Sequence, residues 1–452
     1  MLRPTSRSTA RALVASSVVA LVLVVAGGAG AQTEPEFTLR VERSGNVRAP
    51  IEIRELRVDS SVEGAREAAA DLASRLVRDL IWSGQFAVAG SLPEGVRRPD
   101  HVPDDWTREE AGTGQGTVLQ LALAGLRRDE MVWTARVFDA RSREQIVGKR
   151  YVLDLDAPSR HVHHLADEIV QGVTGEPGIA QTRIIFSRAT DQGRELFLVD
   201  YDGANLRQIT RNGSLNLLPR WSPDAERICY TSYWEGRQRL LVLDGRTGES
   251  RKVTEFVGLN YGASWAPDGG ELLVTLTRDG DPEIYRIDLR GEVIAQLTFE
   301  SSIECSPVYD PTGNQVAFTS DRGGAPQIYR MSKDGLDKRR LSTRGSYNDA
   351  PVWSPRGDRI AYVTRYQGRF HVMVMDSSGG DAIPITITAD GNNEDPSWAP
   401  DGRHLVVSSD RDGTRRLWVI DYETAWARPL TTGDVDDNGP DWSASPRRAS
   451  GS

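Results

Sequence analysis

The chain has 452 residues, of which 38% are hydrophobic and 26% charged, and its formal net charge at pH 7 is -9. This length exceeds the ~100 to 200 residues of a usual single domain and predicts two or three domains. The acidic charge argues against nucleic acid as a partner, because affinity for phosphate backbones depends on Lys and Arg. The two cysteines, Cys229 and Cys305, are too few for a disulfide framework.

The first 31 residues have the pattern of a secretory signal peptide. Three arginines precede an apolar stretch at 12–26, and Ala29, Gly30 and Ala31 then supply the small residues at which a signal peptidase cuts. We therefore expect residues 1–31 to be removed and the mature protein to be exported. The alternative is an uncleaved anchor, although the stretch is shorter than the ~20 residues of a spanning helix. No later segment is apolar enough to predict a membrane span.

Residues 32–176 have the pattern of a small α/β domain. The segment from Glu63 to Ser83 places Leu72, Leu76 and Leu80 on one helical face and is followed by glycine. Turn-rich residues then link this domain to the next one. The other predicted elements are strands at 37–43, 51–58, 117–125, 131–139 and 145–153, a strand starting at Phe86, and a helix from Ser159 to about residue 173.

Residues 177–446 repeat, and aromatic residues recur there at spacings of 44, 44, 44, 45 and 44. Repeats of ~40 to 50 residues predict propeller blades, here with four short strands each. The first repeat lacks its first strand, whereas the last one consists of a lone strand at 437–443. We expect that strand to complete a sixth blade with residues 183–210 and to close the ring. The repeated aromatic residues are Trp221, Trp265, Tyr309, Trp353, Trp398 and Trp442.

The predicted fold is therefore mainly β, with a six-bladed β-propeller preceded by a small α/β domain and followed by a tail at 447–452. The repeated aromatic residues are expected to be buried between neighbouring sheets rather than to form a ligand platform. The Pro-Asp-Gly phrase after several of them is turn chemistry and predicts no catalytic loop.

Motifs for chemistry are weak. His161, His163 and His164 form a histidine cluster, but no acid or Cys completes a metal site, so a solvated helix is favoured over a ligand set. The glycines at 112–116 lack the Walker lysine, and the segment 434–439 copies only the first half of a calcium loop. No G-x-S-x-G elbow occurs. The sequence thus predicts no catalytic residue, no metal and no cofactor.

One column of polar residues stands five positions before each repeated aromatic residue, at the start of every inner strand. We expect this column to ring one mouth of the central channel and to form a polar partner-binding surface with nearby loops. The alternative is that these residues merely shape six equivalent turns. The column consists of Asn216, Asn260, Glu304, Asn348, Asn393 and Asp437, and the loops are those near Trp234, Asp281, Arg322 and Tyr366.

Several phrases of the sequence are specific enough to carry a resemblance. They are RAPIEI from Arg48, DLIWSGQF from Asp79, DYDGANLRQIT from Asp200 and SDRGGAPQIY from Ser320, with His163, Asp167 and Thr174. These phrases resemble the TolB family, whose members are periplasmic components of the Tol-Pal envelope system. The resemblance implies a non-enzymatic periplasmic scaffold. It implies that Pal, the peptidoglycan-associated lipoprotein, binds at the propeller mouth and that TolA binds an N-terminal segment, here 32–44. It also implies support of outer-membrane integrity and of invagination during cell division.

A second class of function stays open at this point. An exported propeller could be an enzyme or could bind a small ligand in its central channel. That function would require clustered acids, histidines or a nucleophile inside the ring, and the sequence shows only scattered candidates.

Overall fold

The computed structural model describes residues 48–58, 64–100, 116–127, 130–153, 158–386 and 390–445. The predicted signal peptide at 1–31, the segment 32–44 and the tail at 447–452 lie outside these residues. Among the helices that are described, none is both long and apolar enough to cross a bilayer.

The front part of the chain forms a five-stranded sheet with two helices, in the strand order β2-β1-β3-β4-β5. Strand β1 pairs in parallel with β2 and β3, whereas β3, β4 and β5 form an antiparallel meander. The elements are β1 Ala49–Val58, α1 Ala65–Trp82, β2 Phe86–Ala89, β3 Thr117–Arg127, β4 Glu130–Asp139, β5 Gln145–Val152 and α2 Pro158–Thr174.

The apolar faces of this front domain meet in one core. Leu72, Leu76 and Leu80 of α1 are buried, as the helical spacing predicts, and they belong to the same cluster as Ile51 of β1 and Trp133 of β4. The prediction of a small α/β domain before the propeller is confirmed. Its boundary at residue 176 stays a prediction.

The rest of the chain folds into six four-stranded antiparallel sheets, which confirms the six-bladed β-propeller. The strands are β6 Arg183–Thr190, β7 Gly193–Asp200, β8 Arg207–Gln208, β9 Asn216–Trp221, β10 Arg227–Ser232, β11 Arg239–Asp244, β12 Ser250–Thr254, β13 Asn260–Trp265, β14 Glu271–Leu276, β15 Glu283–Asp288, β16 Val293–Gln296, β17 Glu304–Tyr309, β18 Gln315–Ser320, β19 Gln327–Ser332, β20 Arg339–Arg340, β21 Asn348–Trp353, β22 Arg359–Tyr366, β23 Arg369–Asp376, β24 Ala382–Pro384, β25 Asn393–Trp398, β26 His404–Ser409, β27 Arg416–Asp421, β28 Ala427–Pro429 and β29 Asp437–Trp442.

The repeated aromatic residues end the inner strands and are buried, with 5% to 9% of each side chain exposed. The indole of Trp265 donates to the carbonyl oxygen of Arg220 in the preceding blade at 3.0 Å, and Arg227 of that blade lies 4.9 Å from the same ring. A large aromatic side chain between two sheets contributes packing area and a specific contact at once. The prediction that the aromatic column packs between blades is confirmed.

The ring closes where β29 pairs with β6. Asp437 lies opposite Arg188, and Trp442 lies opposite Ile184 in this antiparallel ladder. The guanidinium of Arg188 donates two hydrogen bonds to the Asp437 carboxylate at 2.6 and 2.8 Å. The Trp442 indole donates to the hydroxyl of Thr182 at 2.7 Å. A segment from the end of the chain thus supplies the inner strand of the blade that begins the propeller.

We expect removal of residues 435–452 to lower the thermal midpoint by ~10 °C or more, because loss of a buried Trp alone costs roughly 3 to 5 kcal/mol and the ladder is lost with it. Differential scanning calorimetry measures this change. The matched control removes only 446–452, which leaves β29 intact and should keep the midpoint. Equal midpoints for the two truncations would show that β29 does not hold the ring.

A buried polar cluster joins the front domain to the propeller. Nδ1 of His163 on α2 lies 2.7 Å from a carboxylate oxygen of Asp79 on α1, and the hydroxyl of Tyr201 donates to the other oxygen. Arg78 donates to Asp202 at 2.6 Å. The expectation of a solvated helix was therefore wrong for His163, because its acidic partner comes from another helix and is invisible in the local spacing.

The charge of His163 makes this joint pH-dependent. Burial disfavours the imidazolium, but the hydrogen bond and charge of Asp79 and the charge of Asp202 outweigh burial and raise the pKa of His163. A raised histidine pKa gives a stabilisation that is complete below about pH 6.5 and is lost as the pH rises through the folded-state pKa.

We therefore expect His163→Gln to lower the unfolding midpoint near pH 6 and to differ less from the wild type as the pH rises. Thermal melts between about pH 5.5 and 9 measure this difference. His164→Gln, one position away and partly exposed, is the matched control and should change the profile less, because its contact with Glu168 at 3.7 Å is more open to solvent. A constant difference at every pH for His163→Gln would contradict the ionised contact.

Candidate functional site

The strand directions give the propeller two faces. Asn216 at the start of β9 pairs with Ser232 at the end of β10, which in turn pairs with Arg239 at the start of β11. The starts of the inner strands and the connections between second and third strands therefore share one face, here called the mouth face. The front domain contacts the other face, through residues such as Tyr201 and Asp202.

The six polar residues at the inner-strand starts line up on the mouth face, but their side chains point into the blades. Asn216 donates to Glu195 at 3.0 Å and accepts from Ser232 at 2.8 Å, and Asn348 donates to Gln327 at 2.8 Å. These contacts favour the turn-shaping interpretation, and partner binding by these side chains stays a prediction. All six residues of the column are 0% exposed, namely Asn216, Asn260, Glu304, Asn348, Asn393 and Asp437.

Arginines hold this polar column in three blades. Each comes from the second strand or from the connection after it, and each reaches the column residue of its own blade. Two of them belong to a Ser-Asp-Arg phrase that recurs at 320 and 409. Burial lowers the pKa of Arg411 to about 10, so this side chain stays charged at neutral pH. The pairs are Arg188 with Asp437 at 2.6 Å, Arg322 with Glu304 at 3.2 Å and Arg411 with Asn393 at 2.6 Å.

A second column, two positions further along each inner strand, has left-handed backbone conformation. It coincides with a register shift in every inner ladder. A non-glycine residue in this region costs of order 1 to 3 kcal/mol and persists only where its surroundings impose it. The sequence did not reveal this column because only two of its members are glycine. They are Leu218, Gly262, Ser306, Ala350, Asp395 and Gly439, with φ between 50° and 63°.

Acids along the inner strands connect neighbouring blades. Asp395 accepts from the backbone N–H of Gly439 at 3.0 Å, and Asp441 accepts from the backbone N–H of Trp221 at 2.7 Å. Burial raises the pKa of Asp441, although its hydrogen bonds and the charge of Arg220 act in the opposite direction. Since each of these carboxylates accepts a structural hydrogen bond from the next blade, the two acids act as links between blades.

The calcium-like segment has a structural explanation, whereas most of the glycine motif lies outside the described residues. Asp436 of the calcium-like segment pairs with Arg194 at 2.8 Å, and Gly439 of that segment lies within β29. Both observations fit a turn that leads into a strand. Of the glycines at 112–116, only Gly116 lies within the described residues.

Within the described part of the chain, one group of three acids lies within 4.8 Å of one another, namely Glu283, Glu300 and Glu304. It sits on the mouth face between two blades. Arg322 donates to Glu300 at 3.0 Å and to Glu304 at 3.2 Å, and Lys338 lies 3.8 Å from Glu300. These two cations already balance two of the three carboxylates, so we assign no metal to the group.

Exposed apolar side chains also occur on the mouth face, where the sequence predicted a polar surface. The exposed fractions are 44% for Trp234, 87% for Val257 and 71% for Phe299. All three lie in connections that flank the starts of inner strands β9, β13 and β17. Exposed apolar area on one face is a feature of interaction surfaces, so these three connections are candidates for contact with a partner.

Comparison with known proteins places this geometry in a family. A family model described as the TolB beta propeller domain matches residues 170–446. The Tol-Pal system protein TolB of a Ruegeria species is 30% identical over 232 residues, which cover 49% of this chain and 51% of the relative. That of Geobacter sulfurreducens is 35% identical over 181 residues, which cover 38% and 41%. The chain thus spans about half the length of these curated relatives, or less.

A solved structure extends the similarity to the front domain. The crystal structure of TolB from Acinetobacter baumannii superposes with a TM-score of 0.74 at 26% identity, and the match covers 90% of this chain and 99% of that one. The family model alone spans more than half of the chain, including all six blades. The chain therefore belongs to the TolB family.

Proposed function

We propose that this protein is a non-enzymatic periplasmic scaffold of the Tol-Pal system. In this proposal it binds the lipoprotein Pal through the mouth face and TolA through segment 32–44, and it supports outer-membrane integrity and invagination during cell division. Membership of the TolB family supports the assignment to this system, because the relatives are named Tol-Pal system proteins.

The observation that supports the mouth face as the partner surface is the pair of aromatic side chains that its connections expose. The buried column marks where each inner strand starts, while Trp234 and Phe299 are 44% and 71% exposed in connections of the same face. Exposed aromatic side chains suit protein binding, because aromatic residues are enriched among those that contribute most to binding a partner. The described residues of the front domain contact the opposite face.

We expect the double variant Trp234→Ala and Phe299→Ala to weaken capture of purified Pal by at least ~10-fold, as for a hot-spot pair. Surface plasmon resonance with immobilised protein measures the change. Leu336→Ala is the matched control, because Leu336 is 66% exposed but lies in a turn of the opposite face. Undiminished Pal binding by the double variant would remove the mouth face from the proposal.

The proposed TolA contact is tested separately. A short segment ahead of a folded domain can bind as an added strand, and its ordering costs ~2 to 5 kcal/mol of the interaction. We expect deletion of residues 32–44 to abolish binding of TolA in a pull-down while Pal capture and the thermal midpoint stay unchanged. Retained TolA binding would place the contact elsewhere on the protein.

The alternative is an exported enzyme or ligand-binding propeller that uses the central channel, and one observation favours it. Burial and the charge of Asp395 raise the pKa of Glu394 to about 7, although Arg415 acts in the opposite direction. The Glu394 carboxylate nevertheless accepts a hydrogen bond from Arg415 at 2.7 Å, which fits a structural ion pair. Turnover of esterase, lactonase or glycosidase substrates that is lost in Glu394→Gln would establish the alternative.

A further inference from the structure

Neighbouring blades meet at a repeated contact below the mouth face. The first residue of an inner strand faces a residue near the start of the third strand in the preceding blade. At two such boundaries an amide nitrogen donates to an oxygen, from Asn216 to Glu195 at 3.0 Å and from Asn348 to Gln327 at 2.8 Å. At the boundary between β15 and β17, the same two positions hold Glu283 and Glu304.

This boundary therefore places two acceptors where those two boundaries pair a donor with an acceptor. Glu283 is 5% exposed and Glu304 is 0% exposed, and Oε2 of each is buried without a hydrogen-bond partner. Two buried carboxylates in contact cannot both ionise without a large cost. Burial raises the pKa of Glu283 to about 8, and the nearby charges of Glu304 and Glu300 act in the same direction.

The charges around the pair leave one carboxyl without a cation. Arg322 contacts Glu300 and Glu304, and Lys338 contacts Glu300. Those two cations balance two ionised carboxylates, so a proton on the third makes the cluster neutral. Burial raises the pKa of both Tyr285 and Cys305, which therefore stay uncharged at neutral pH. Further charged groups nearby include Asp279, which is bonded to Tyr285 and lies 3.3 Å from Arg278, and Asp321, which is bonded to the N–H of Ile303.

We propose that Glu283 and Glu304 share one proton across this blade boundary, and that the shared proton holds segment 299–303 in place on the mouth face. The segment is tied directly to the pair, since the hydroxyl of Ser302 donates to Glu304 at 2.6 Å. It also carries the exposed ring of Phe299. Loss of the proton leaves two facing negative charges, which repel each other and loosen the segment. The link to partner binding rests on the proposed function; the proton itself does not.

The test is the pH dependence of stability. A carboxyl whose pKa is higher in the folded state than in the unfolded state binds more protons when folded, so its contribution declines as the pH rises from about 4.5 to 8. We expect the wild-type thermal midpoint to fall by roughly 3 to 6 °C more than that of Glu283→Gln over this interval. The glutamine supplies a permanent amide donor toward Glu304, with the opposite direction to the Asn216 and Asn348 contacts. The variant should therefore be the more stable protein near pH 8.

Controls separate this proton from other titrating groups. Glu195→Gln changes a carboxyl that already accepts from Asn216, Thr210 and Gly213, and it should leave the difference in slope unchanged. The contribution of His163 is present in both proteins and cancels in the comparison. Equal slopes for Glu283→Gln and the wild type would overturn the proposal. So would added calcium that raises the wild-type midpoint and leaves the variant unchanged, because a cation would then occupy the place of the proton.

A binding measurement distinguishes this inference from the proposed function. Pal capture by the wild type should weaken between about pH 7 and pH 9, whereas capture by Glu283→Gln should change less. If neither protein binds Pal at any pH while the stability slopes differ as expected, the assignment of Pal as the partner is wrong and the proposal of a shared proton is supported. If both bind Pal with the same pH dependence, the proton does not control the segment and that part of the inference is wrong.

Discussion

The pairing of β29 with β6 is the constraint on which the structure depends. A propeller blade buries both faces against its neighbours, so a ring with one incomplete blade would expose two apolar faces and an unpaired strand edge. The contacts at this seam include two charged hydrogen bonds between Arg188 and Asp437 and the buried indole of Trp442. Charge-assisted pairs of this geometry fix register as well as adding stability.

The closing blade also contacts the front domain. Tyr201 follows directly after a strand of the closing blade, and it reaches Asp79 of the first helix. Arg428 of the fifth blade donates to the carbonyl oxygen of Tyr201 at 2.7 Å and lies 4.0 Å from the ring of Trp82. The apolar core continues from the front sheet into this blade. The closing blade and the front domain therefore share one apolar core. A substitution where β29 pairs with β6 is expected to weaken both the closure of the ring and the contact with the front domain.

The sequence predicted the features that repeat in every blade, and it did not predict contacts that occur at one place only. A constant spacing of aromatic residues and of strand patterns is enough to count the blades, since each blade must solve the same packing problem. The partner of His163 could not be predicted, because Asp79 lies 84 positions away in the chain. The burial of the polar column was also invisible, since a residue at the start of a strand can point toward solvent or into the sheet.

Residues that differ between otherwise equivalent positions of the blades are candidates for a specific function. Positions that keep the same residue type in every blade serve the common geometry, and in this chain they hold the buried aromatic residues. The common geometry does not explain a position whose residue type differs at a single boundary between blades. Glu304 stands where four blades have Asn, and this difference removes the amide donor that would face the acceptor Glu283. Such a departure persists in a packed interface only if a proton or a cation compensates for it, and the arginine and lysine already present favour the proton.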